Sequence, residues 1–104
     1  MVTTFVGDST LKRKKPKQLL QEAAKIYDQR AEQLGDFQQL YRELAVRWSL
    51  VTGCEITPAM TARMLLEMKL ARWNSNFIED HAVDAANYAV IAAALEGEDD
   101  GIFE

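Results

Sequence analysis

The sequence predicts an all-α protein, a four-helix bundle-like single domain, and three observations carry that prediction. Apolar residues recur at helical spacing in four successive stretches, proline and glycine punctuate the connections, and no stretch alternates as a half-buried strand would. The connections are short, which favours antiparallel neighbours. With 104 residues and 48% hydrophobic content, the chain has the size of one domain and can bury a core without metal or disulfide support.

Residues 1–15 read as a basic N-terminal arm, residues 16–96 as the helical domain and residues 97–104 as an acidic C-terminal tail. In the arm, Gly7-Asp8-Ser9-Thr10 marks a turn before the basic run. Pro16 suits a first helical turn, and Leu19, Ala23, Ile26, Tyr27 and Leu34 form a stripe that Gly35 ends, giving a helix over 16–34. Asp36 with Gln39 resembles a capping pair for a helix over 37–52, whose stripe includes Phe37, Tyr41, Leu44 and Trp48 and which stops at Gly53. Thr57-Pro58 sets a cap residue before a first-turn proline, starting a third helix that runs to about Trp73. Asn76 with Glu79 resembles a further cap, and an alanine-rich fourth helix runs to Leu95 before Gly97. Ala82, Ala85, Ala89, Ala92 and Ala93 on one side of it admit a close neighbour, either the third helix or a second copy.

Charge and composition narrow the function classes. The net charge is −4, with nine basic and six acidic residues in 1–52 against three and ten in 53–104. Such a chain is a poor general nucleic-acid binder. The local exception is Lys12 to Lys17, which reads as a solvated basic arm, with nucleic acid or an acidic protein surface as the alternatives. The longest nearly uncharged stretch, Ala85 to Leu95, falls well short of the ~20 residues that cross a bilayer. A lone cysteine, Cys54, and the lack of an apolar leader predict a soluble protein in a reducing, cytoplasmic setting.

Several polar residues stand where a plain core would not put them. Taking Met60 as the origin at about 100° per residue, Glu67 falls at about −20°, Ala71 at about 20° and Met64 at about 40°, so Glu67 lies inside an apolar stripe. A buried carboxylate must be paired, protonated or bound to a cation. On the fourth helix Asp80, Asp84 and Asn87 share one stripe, and two aspartates a turn apart need positive charge beside them. Mg2+ is one candidate and arginine the other, with Arg30 pointing inward from the first helix toward Glu67 or Asp84. His81 reads as a solvated first-turn side chain, Cys54 as structural, Met60, Met64 and Met68 as core filler, and Trp48 and Trp73 as packing residues.

Asp28-Gln29-Arg30, Leu34-Gly35-Asp36, Leu44 to Trp48, Glu55-Ile56-Thr57-Pro58, Met68 to Arg72 and Val83 to Ala89 together resemble a group of short phage and prophage proteins. The resemblance spans residues 18–95. That group is distantly similar to MazG-type all-α nucleoside triphosphate pyrophosphohydrolases, in which helical carboxylates hold Mg2+ against a nucleoside triphosphate. Asp84 and Tyr88 match the family's Asp-x-x-x-Tyr segment, and Glu67 stands in the helix that would carry a Glu-x-x-Glu pair. Met64, Leu70 and His81 stand where further carboxylates would be expected. A phage-encoded protein would work in the host cytoplasm.

Two functions follow as expectations. The first is a MazG-like nucleotide-associated domain, in which Glu67, Asp80 and Asp84 bind Mg2+, Glu67 and Asp84 serve catalysis, and Arg30, Lys69 and Arg72 face phosphate. The second is a non-catalytic interaction protein for a host or phage partner, with the polar cluster as an internal ion-pair network and Ile102-Phe103 in the tail as a docking element. Either reading predicts a homodimer, because the alanine face and the apolar third helix exceed what four short helices hide within one copy.

Overall fold

The computed structural model describes residues 14–35 and 37–103, and their side chains as far as Gly97 with the exception of Leu34. Four helices follow one another: α1 Pro16–Leu34, α2 Phe37–Thr52, α3 Pro58–Ser75 and α4 Glu79–Phe103. Among the described residues there is no strand, and no helix is long and apolar enough to cross a membrane. The capping residue expected at Asp36, the side chains of Lys12 and Arg13, and those of Ile102 and Phe103 lie outside the described residues.

Local chemistry fixes the ends. The Lys15 N–H donates to Gln18 Oε1 at 2.7 Å, supplying a partner for the chain entering α1 at Pro16. Gly35 closes α1 at φ 77° with its N–H bonded to the Ala31 carbonyl, a backbone state that side chains disfavour. Gly53 ends α2 in the same way at φ 73°. Ser49 Oγ then accepts from the Ile56 N–H at 2.8 Å, tying the connection back onto α2. Thr57 caps α3, its Oγ1 accepting from the Met60 N–H at 3.2 Å with Pro58 at the first helical position.

Two boundaries differ from the sequence reading. Asn76 closes α3, through its N–H to the Arg72 carbonyl, and does not cap α4, which starts beyond Ile78. Gly97 does not stop α4: it lacks a positive φ, and the helix carries it, at a cost of about 1 kcal/mol relative to alanine, on to Phe103.

The most extensive packing joins α3 to α4, with α2 laid on α3 and α1 on α4. Small residues make this possible. Ala59 and Ala62 of α3 face the alanine side of α4, where Ala85 and Ala92 are buried, and Leu95 and Tyr41 complete the centre with Phe37, Leu65 and Ile91 packed against it. Ala89 and Ala93, on the same alanine stripe, are exposed. The core therefore lies on the side of α3 opposite Met60 and Met64, and Met64 and Met68 are 43% and 41% exposed where core filler was expected. Glu67, on that same side, is exposed and not inside the core.

Candidate functional site

Polar chemistry gathers around Asp84, one turn into α4. Its Oδ2 accepts from Lys69 Nζ of α3 at 2.9 Å and its Oδ1 from Arg30 Nη2 of α1 at 3.5 Å, so a single carboxylate bridges three helices. Asp84 and Lys69 side chains are 14% and 13% exposed, whereas Arg30 is 51% exposed. The lysine pair is thus the shielded one, where Coulomb attraction is least screened, and the arginine contact works largely in water. One turn further, buried Asn87 donates from Nδ2 to the Ala23 carbonyl of α1 at 3.1 Å, giving a buried amide its partner.

The other expected site residues do not join this cluster. Glu67 lies on the outer face of α3 beside Met60, Arg63 and Met64, Arg72 is exposed near the end of α3, and Asp80 is exposed on the first turn of α4. Lys14 makes ion pairs with Glu22 and Glu79 close by, and the hydrogen bond it donates to the Glu22 carboxylate is the chief cause that raises its ammonium pKa above the ordinary value. This lysine of the basic cluster therefore already meets acid within its own chain. Among the described residues no three His, Cys, Asp or Glu side chains converge as metal ligands. Glu67, Asp80 and Asp84 do not form one ligand set, and Asp84 already carries two cations, so the residues present do not fit a Mg2+ centre of the carboxylate type.

Beside Arg30 lies a mostly apolar cleft of about 320 Å³ between α1 and α2, floored by α4. Tyr27, Phe37 and Tyr41 line it in an edge-to-face chain with ring centroids 6.0 and 6.3 Å apart, and Tyr88 and Asn87 face it from α4. Burial pushes the Tyr41 phenol from the ordinary 10.0 up to about 12, the nearby Tyr88 adds to this, and Arg30 opposes it. Because the folded state holds this proton more tightly than the unfolded chain, the stabilisation is fully present below pH 10.0 and is lost as pH rises toward about 12. Tyrosinate absorbance is expected to show one late-titrating tyrosine, absent in Tyr41→Phe, with the alkaline loss of stability reduced in the same variant.

The profile of a family described as a domain of unknown function, DUF6378, matches residues 18–96. The chain belongs to the DUF6378 family. No curated protein and no solved structure matches it.

The matched span of this DUF6378 domain contains Arg30, Lys69, Asp84 and Asn87, together with the aromatic cleft. Lys69, expected to face phosphate, faces Asp84. The aromatic cleft escaped the sequence reading, since Tyr27 and Tyr41 looked like ordinary stripe residues and only the separation of α1 from α2 turns them into a wall. His81, expected to be solvated, is half-buried, and its Nδ1 is buried without a hydrogen-bond partner. Cys54, expected to be structural, has an exposed side chain in the α2–α3 connection, and its backbone N–H donates to Thr52 Oγ1. Trp73 leans on Phe77 at a centroid distance of 5.2 Å, both rings partly exposed at the α3–α4 turn.

Proposed function

We propose that this DUF6378 domain is a non-catalytic helical interaction protein: a small bundle whose polar centre locks the register of its helices and whose outer apolar surfaces meet a protein partner. The observation that carries this reading is the saturation of Asp84 by Lys69 and Arg30. A carboxylate so neutralised supports helix register and has little charge left to attract a divalent ion. A resemblance to MazG-type enzymes then reflects a shared all-α plan whose further carboxylates are here Met64, Leu70 and His81. The outer surfaces support the second half of the reading, with Met64, Met68, Leu70, Trp73 and Phe77 all presented to solvent.

A second reading, a nucleotide-associated domain, is favoured by the cleft, where Tyr27, Tyr41 and Tyr88 offer ring surface to a base and Arg30 offers a cation to phosphate. Calorimetric titration with a panel of nucleoside triphosphates, with and without Mg2+, followed by product analysis for pyrophosphate, separates the two. The interaction protein gives neither heat nor turnover. Metal-independent binding lost in Arg30→Ala supports the second reading, and Mg2+-dependent turnover overturns the first.

A further inference from the structure

The outer face of α3 carries apolar side chains exposed to solvent. On a helical wheel the inward residues Ala62, Leu65 and Lys69 lie within about 40° of the direction opposite Met60, so α3 has two apolar sides, and the described residues cover only one of them. The uncovered side has a shallow depression of about 190 Å³ lined by Met60, Arg63, Met64 and Glu67. Arg63 and Glu67 are both exposed, and neither has an ion-pair partner among the described residues although they stand one turn apart. The charges occupy one flank of the face, at about −60° and −20°, and Met64 and Met68 the other, at about 40° and 80°.

We infer that two copies of this chain pair through this face, α3 against α3 in antiparallel sense, with Arg63 of each copy bonded to Glu67 of the other. A two-fold axis perpendicular to both helices and passing between residues 65 and 66 keeps each flank on its own side. Met64 and Met68 then meet their counterparts, and Arg63 lies within about one residue rise, 1.5 Å along the axis, of the level of the opposing Glu67. The arrangement yields two equivalent ion pairs flanking a methionine seam, and methionine adapts readily to such a seam. A parallel pairing, related by a two-fold axis along the helices, would carry each flank to the opposite side and set the charges of one copy against the methionines of the other, which fixes the sense. This inference names the partner for the interaction reading and rests on it for the role of the face.

Sedimentation of the full chain tests it through charge exchange. Wild type is expected to show a concentration-dependent monomer–dimer equilibrium. Arg63→Glu and Glu67→Arg, each placing like charges together, raise the dimer dissociation constant at least roughly tenfold. An equimolar mixture of the two variants recovers dimer, because a heterodimer restores both pairs, and circular dichroism of each variant stays that of wild type. A wild type that is monomeric at every concentration overturns the inference while leaving the nucleotide titration to decide the function. A dimer indifferent to both substitutions, or variants whose mixture does not recover, also overturns it.

Discussion

Replacing Asp84 with Asn lowers folding stability by about 3 kcal/mol, because Lys69 is left in a poorly hydrated position without its counter-charge. For a domain of this size that corresponds to a fall in melting temperature of roughly 15 °C, read by far-ultraviolet circular dichroism. The shielded Lys69 contact accounts for most of the loss. The Arg30 contact, half in water, contributes at most about 1 kcal/mol, so Arg30→Ala is mild by comparison. Lys69→Met combined with Asp84→Leu removes both charges at once and lies within about 1 kcal/mol of wild type, since apolar side chains of similar size need no counter-charge. A severe single variant rescued by a second substitution at its partner is the signature of an internal ion pair.

Leu95→Ala is the second large effect. Leu95 has no exposed surface and is the largest fully buried side chain in a centre otherwise supplied by alanines and Tyr41. Those neighbours have little freedom to move in, so truncation leaves a cavity, and the expected loss is about 3 kcal/mol. Urea unfolding should show a lower midpoint at unchanged slope. Leu50→Ala, at a residue 79% exposed, changes stability by no more than about 0.5 kcal/mol. Equal losses at the two positions would remove the alanine-lined centre as the core of the fold.

The helices were legible because their punctuation is chemical: Pro16, Gly35, Gly53 and the Thr57-Pro58 cap each act on the backbone next to them. The inward face of α3 was harder to read, because the helix has two apolar sides. Methionines mark the more hydrophobic one, but the buried one is the alanine side, since Ala85 and Ala92 of α4 demand a close neighbour. That choice of face decides the site. It turns Glu67 outward and brings Lys69 inward to Asp84. The Arg30–Asp84 pair is among the alternatives the sequence offers, whereas Lys69 enters there only as a phosphate-facing residue of the nucleotide reading, and its place opposite Asp84 follows from which side of α3 packs inward. Asn76 shows the same limit at short range: a residue between two helices can cap either, and only the backbone hydrogen bond to Arg72 decides.

On the proposed reading Asp84 serves Lys69 and Arg30 and not a metal. Thermal unfolding of wild type, Asp84→Asn, Lys69→Met and the Lys69→Met/Asp84→Leu double variant, each with and without millimolar Mg2+, tests it most directly. Both single variants are expected to melt well below wild type, the double variant to recover most of the loss, and Mg2+ to move none of the four. A wild-type melting temperature that rises with Mg2+, by the stabilisation any native-state ligand confers, and a rise that Asp84→Asn abolishes would contradict it.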